Sequence, residues 1–187
     1  LSATLHTGPF MLYFGQEIGV NAPDSEGFQG ADGRTTIFDY WGIPEMQGLI
    51  NQGAYDGGGL SEMQKKLRSI YMELNHLLKH NEAIYSGEFY DLQYININGQ
   101  SSEYDKNRNF SFLRYTNNQR LLLVFNFDLN KDIHAAIKIP ESVWSNQLQL
   151  GMPEHYKMVP LFTTDCNITR RTAQNITTTG VSLFLKA

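Results

Sequence analysis

The segment Thr7-Gly8-Pro9-Phe10-Met11-Leu12-Tyr13-Phe14-Gly15-Gln16-Glu17-Ile18-Gly19 constrains the fold of this chain most. Five apolar or aromatic residues run unbroken from Phe10 to Phe14, between a Gly-Pro pair and further glycines. A short apolar run between such breakers predicts a fully buried strand of the parallel-sheet kind. Gly15-Gln16-Glu17 would then stand at the strand's C-terminal end, where α/β folds bind ligands. A buried strand needs hydrogen-bonded neighbours on both edges. The partners of this one are expected before Leu1, and the start on Leu1-Ser2 is expected to be an internal boundary.

The 187 residues suffice for one large domain, or a small domain and a piece of another. A net charge of −4 with no basic cluster excludes a nucleic-acid backbone as partner. No apolar run approaches the roughly 18 residues of a membrane span. Cys166 is the only cysteine, so no disulfide forms within the chain, and any compartment is compatible with that. Sequons stand at Asn109, Asn167 and Asn175 and, in a chain this rich in Asn, Ser and Thr, carry little weight.

From Gly15 to Gly59 the sequence is irregular and rich in Gly, Asp and Asn, yet it carries Phe28, Phe38, Tyr40, Trp41, Ile43, Met46, Leu49 and Tyr55. Disordered segments are poor in such residues, so an ordered excursion is expected. A short helix is predicted near Pro44 to Ile50, with Pro44 in its first turn and Gly53 beyond its end. The clearest helix follows. Ser61 and Gln64 form a capping-box pattern, and Met63, Leu67, Ile70, Tyr71, Leu74, Leu77 and Leu78 make one apolar stripe. From Tyr85 the pattern turns to strands at Leu92–Ile97, Phe110–Tyr115, Leu121–Phe127, Ile133–Ile139, Lys157–Phe162 and Val181–Leu185. Thr116–Gln119 and Asp128–Asp132 read as turns, and the set suggests an antiparallel sandwich. The expected domains are 1–82 and 83–187.

Several chemistries are absent from the motifs. There is no phosphate-binding glycine loop and no nucleophile elbow. His76 and His80 share a helix face, but a third zinc ligand is lacking. The carboxylates Glu17, Asp24, Glu26, Asp32, Asp39, Glu45 and Asp56 gather around the excursion. They suit a glycosidase acid/base pair, a calcium site of loop oxygens, or ordinary solvated loop hydrogen bonding. Glu17, next to a buried strand, is expected to be paired. Phe38-Asp39-Tyr40-Trp41, with Arg34 nearby, is either a sugar-stacking platform or a loop anchored by its own aromatics.

Taken together, the segment Gly8 to Gly19 resembles the eighth-strand segment of the α-amylase family of glycoside hydrolases, commonly Gly-x-Pro-x-x-Tyr-x-Gly-x-Glu. Tyr13, Gly15 and Glu17 match that form; Gly8 and Pro9 are adjacent, where the family usually has one residue between them. The helix from Leu60 to Asn81 looks like the eighth barrel helix. The order Arg114, Leu121–Phe127, Ile133–Pro140 and Val181–Leu185 is similar to the family's C-terminal β-sandwich. The resemblance implies an α/β plus all-β architecture: the end of a (β/α)8 barrel (last strand, long loop, last helix) followed by an antiparallel sandwich.

It also implies a retaining hydrolase of α-glucosidic bonds in starch-like glucans or oligosaccharides. The family's catalytic Asp, Glu and Asp precede the eighth strand; His6 is followed by Thr7, not Asp, so none of the catalytic carboxylates is expected in this chain. The chain alone is expected to be inactive. Arg34, Asp39, Tyr40 and Trp41 are the candidate sugar contacts, and Tyr13, Gly15 and Glu17 the structural motif at the barrel rim. No cofactor is required in the chain, and calcium is allowed in the parent enzyme. The expected partners are the α-glucan and the N-terminal remainder of the barrel, with self-association of the truncated chain. The rival reading is a non-catalytic carbohydrate-binding or structural β-sandwich module with its own helical N-terminal part.

Overall fold

The computed structural model describes residues 1–21, 42–97, 103–149, 156–162, 169–171 and 181–185. They form an α+β fold of helices and small antiparallel sheets. The chain packs as two units, Pro9–His76 and Leu1–Gly8 with Leu77–Ala187.

The chain opens with a short helix, α1 (Ser2–Leu5). The unit Pro9–His76 starts with an extended run that the sequence predicts to be a buried strand. It is not one. Residues 9–13 pair with no strand among the described residues, and Met11 is 84% exposed. Apolar content alone cannot make a strand when no neighbouring backbone satisfies its N–H and C=O groups. The run ends in a 3-10 turn, Gln16–Ile18, flanked by Gly15 and Gly19, both left-handed.

Helix α2 (Pro44–Ile50) begins with Pro44 in its first turn, where the missing N–H costs nothing, and ends at left-handed Asn51. Helix α3 (Glu62–His80) is held at its start by the predicted capping box. Ser61 N–H donates to Gln64 Oε1 at 2.9 Å, and Gln64 N–H to Ser61 Oγ at 3.3 Å. Its apolar stripe is only half-buried at Leu67, Tyr71, Leu74, Leu77 and Leu78, and Met63 is 83% exposed.

The second unit continues with α4 (Glu82–Tyr85), β1 (Glu88–Asp91), α5 (Gln93–Asn96), β2 (Asn109–Tyr115) and β3 (Arg120–Asn126). Strands β1, β2 and β3 make an open antiparallel sheet in that order. The β2–β3 hairpin closes as predicted at Thr116–Gln119, where Thr116 N–H donates to the Gln119 carbonyl at 2.8 Å. Strand β4 (Ile133–Ile137) pairs antiparallel with β7 (Val181–Leu185), and β5 (Tyr156–Met158) with β6 (Thr169–Arg171).

Leu92–Ile97, expected as a strand, contains α5 instead. Asp91 Oδ1 accepts the Gln93 N–H at 2.7 Å and starts the turn. The buried Asn96 amide then pairs with both backbone groups of Lys138, accepting its N–H at 2.8 Å and donating to its carbonyl at 3.2 Å. An alternating, β-rich sequence here yields to side-chain hydrogen bonds that a strand would break.

Period-two alternation divides β2 between two faces. Leu113 and Tyr115, with Tyr90, Leu122 and Val124, join one buried cluster that also holds Ile133, Ala135, Ile137, Val181 and Trp144. Phe110, Phe112 and Arg114 face the other way. There Phe112 stacks on Phe125 at 5.9 Å between ring centroids, and Phe125 on Phe127 at 6.1 Å. Asn109 lies buried in the hairpin, its amide bonded to Asn126 Oδ1 and to Asp105 N–H, which leaves that sequon without an accessible side chain.

Candidate functional site

The candidate motif Tyr13-x-Gly15-x-Glu17 folds into one tight turn. Gly15 is buried at φ +71°, and a Cβ there would lie 2.3 Å from Val20 Cγ2. Only glycine meets both demands. The Gly15 carbonyl accepts the N–H of Ile18 at 3.2 Å and of Val20 at 3.0 Å. Gln16 ties the turn to α3: its Oε1 accepts the Tyr13 N–H, and its Nε2 donates to Tyr71 Oη at 2.7 Å.

Glu17 departs from expectation. It is half-buried, and no hydrogen bond or ion pair reaches its carboxylate among the described residues. The expected pairing rests on an adjacent buried strand; residues 9–13 pair with no strand among the described residues, and the carboxylate is left half in solvent. The Tyr13 side chain is exposed.

Arg34, Asp39, Tyr40 and Trp41 lie outside the described residues. The two ends of that stretch are joined by a hydrogen bond from Asn21 Nδ2 to Glu45 Oε1 at 3.3 Å. The structure thus brings Glu45 to Asn21, just after the turn that carries Glu17, while Asp56 lies in a second assembly.

This second assembly, between α2 and α3, runs over residues 51–60. Five of its residues have positive φ: Asn51, Gln52, Gly53, Tyr55 and Gly57. The loop is held against the end of α2 by Gly57 N–H to the Leu49 carbonyl and Gly59 N–H to the Gly48 carbonyl. Asp56 organises its centre. Oδ1 accepts Asn51 Nδ2 and Gly58 N–H, each at 2.8 Å. These two donors hold the Asp56 carboxyl below its ordinary pKa, with Lys65 adding to the effect.

Beside the loop is an open cleft of about 290 Å³, lined by Asp56, Gly58, Leu60, Lys65, Arg68 and Met72. The Arg68 side chain is half-buried and has no partner among the described residues. Sequence reasoning placed this loop within the long irregular stretch and missed the site. The usable signal was the density of turn formers, Asn51-Gln52-Gly53 and Asp56-Gly57-Gly58-Gly59, directly before a capping box.

A second open cleft lies on the sheet-bearing unit, lined by Glu88, Tyr115, Asn117, Asn146, Gln147 and Gln149. The Tyr115 hydroxyl sits 3.0 Å from Glu88 Oε2 and 3.1 Å from Gln147 Oε1. Burial, then the Glu88 hydrogen bond, pushes its pKa up. Among the described residues no three His, Cys, Asp or Glu side chains are grouped to hold a metal, and no helix is long and apolar enough to cross a membrane. The chain matches no protein-family model, no curated protein and no solved structure.

Proposed function

We propose that the chain is the C-terminal portion of an α-amylase-family glycoside hydrolase acting on α-glucosidic bonds of starch-like glucans or oligosaccharides. The observation that carries this reading is the Tyr13-x-Gly15-x-Glu17 turn. The motif glycine occupies a position whose positive φ and contact with Val20 admit no side chain. In the proposed enzyme, 10–14 is the last barrel strand, paired by strands that this chain does not contribute, and α3 is the last barrel helix. The exposed apolar side chains Met11, Met63 and Ile70 support that reading, because a barrel would cover them. The common cluster shared by β1–β3 and β4–β7 supports a sandwich as the second domain.

The catalytic carboxylates belong to the preceding part of the enzyme, and Arg34, Asp39, Tyr40 and Trp41 border the substrate cleft. The test is the coding sequence upstream of Leu1 together with activity. A longer protein carrying Asp and Glu signatures should hydrolyse malto-oligosaccharides, lose turnover on Trp41→Ala with Tyr40→Ala, and leave the 187-residue chain inactive. Unchanged kinetics on several α-glucans after that double substitution would remove the assigned contacts. The absence of carboxylate signatures upstream would remove the reading itself. The rival, a non-catalytic β-rich module, is favoured by one observation: Leu1–Gly8 packs in the same unit as Leu77–Ala187.

A further inference from the structure

We propose that the cleft between the 51–60 loop and the first turns of α3 binds one hexose unit of an α-glucan, with Asp56 and Arg68 dividing its hydroxyls; the sugar class rests on the function proposed above. A hydroxyl both donates and accepts. The cleft offers groups of both kinds: the Asp56 carboxylate, which only accepts, and the Arg68 guanidinium and Lys65 ammonium, which only donate, Lys65 being already paired with Glu62 at 3.0 Å. Met72, exposed in the lining, with the edge of the buried Leu60, adds apolar surface for the C–H face of a sugar ring. The volume, about 290 Å³, is at the small end of ligand pockets and suits a single ring rather than a long chain.

Asp56 and Arg68 are both prepared for a ligand. Asp56 is fixed by the Asn51 and Gly58 bonds to Oδ1, which also favour its ionised form. Arg68 is half-buried with its donors unused among the described residues. The loop is already ordered by the Gly48–Gly59 contact, so little flexibility is lost on binding.

An inorganic anion fits less well. Lys65 and Arg68 line the cleft with the Asp56 carboxylate, but every backbone N–H from Gly57 to Ser61 already has an acceptor: the Leu49 carbonyl, Asp56, the Gly48 carbonyl, the Gly57 carbonyl and Gln64 in turn. No cradle of free amides remains for phosphate or sulfate.

The experiment is an NMR titration of the 187-residue chain with maltose, glucose and sulfate, following the Gly57 and Gly58 amides and the Arg68 Nε–H. Maltose and glucose should shift these signals saturably, and sulfate should not. Arg68→Gln should weaken maltose binding at least about tenfold, the scale of losing a charge-assisted hydrogen bond. Ser69→Phe, at an exposed position lining the cleft, should block it while leaving Tm unchanged. Absence of maltose shifts, shifts with sulfate alone, or maltose binding that survives both substitutions would each overturn the proposal. The readout needs no catalysis, so the cleft stands if maltose binds here and the longer protein proves not to be a hydrolase. It falls alone if the hydrolase is active and these signals stay still.

Discussion

Gly48 and Gly59 meet backbone to backbone: a Cβ on Gly59 would stand 2.8 Å from Gly48 Cα, and a Cβ on Gly48 would stand 2.9 Å from the Gly59 carbonyl oxygen. The contact locks the 51–60 loop onto α2. Neither obstacle is a flexible side-chain end, so the backbone must shift to admit a methyl group. Gly59→Ala and Gly48→Ala should each destabilise by about 1–3 kcal/mol, the usual cost of overpacking. This holds for Gly48 even though alanine is the better helix former. Urea unfolding measures both, and a Gly48→Ala chain more stable than the parent would contradict the contact.

Gly15→Ala makes a separate case, since it combines a positive φ with an obstructing side chain. The left-handed backbone costs roughly 1–2 kcal/mol for a residue with a Cβ, and the Val20 clash adds to it. Val20→Ala should relieve only a portion of the second part, because the Cβ that it keeps stands 2.8 Å from the added methyl group. A double-mutant cycle should therefore show favourable coupling between the two substitutions, and additive losses would place Val20 away from Gly15.

Arg114 is 2% exposed, and its guanidinium bridges two main-chain carbonyls, with Nε donating to Ala83 at 3.1 Å and Nη2 to Ile84 at 2.7 Å. These carbonyls belong to the last turn of α4, where helices leave acceptors unfilled. Burial lowers the pKa of the guanidinium. Lysine has no fork to span both acceptors. Arg114→Lys should cost about 1–3 kcal/mol in chemical denaturation, as expected for buried hydrogen-bonding groups left unpaired. A cost near zero would show that the two carbonyls find other donors.

Tyr94 shares a hydrogen bond with Tyr90, hydroxyl to hydroxyl at 3.0 Å. That bond, with burial and the nearby charges, pushes the Tyr94 pKa up to about 12. A raised pKa in the folded state stabilises the protonated form. This contribution is fully present below the ordinary value of 10.0 and is lost as pH rises towards 12. Tyr90→Phe should bring the Tyr94 ionisation, read by absorbance of the phenolate, back towards 10 and remove that alkaline loss. An unchanged titration would assign the shift to another cause.

Local patterns made much of the fold legible. Pro44 in the first turn of α2, the Ser61–Gln64 reciprocal cap, the 3.6-residue stripe of α3 and the four-residue turn Thr116–Gln119 between β2 and β3 all depend on residues near one another in sequence. The cleft by Asp56 was not legible. Asp56 meets Asn51 and Gly58 within the loop, but Arg68 and Met72 reach it from successive turns of a helix, a placement that turn chemistry does not specify.

By itself, the sequence determined where α2 and α3 start and which strands form the β2–β3 hairpin. Only the tertiary structure decided that Phe10–Phe14 has no strand partner among the described residues, that Leu92–Ile97 turns through a helix anchored by Asn96 on Lys138, and that Gly48 and Gly59 touch. The reason is common to all three. Apolar runs and alternation state what a segment can bury, whereas strand pairing, anchoring and close backbone approach depend on which distant groups arrive beside it.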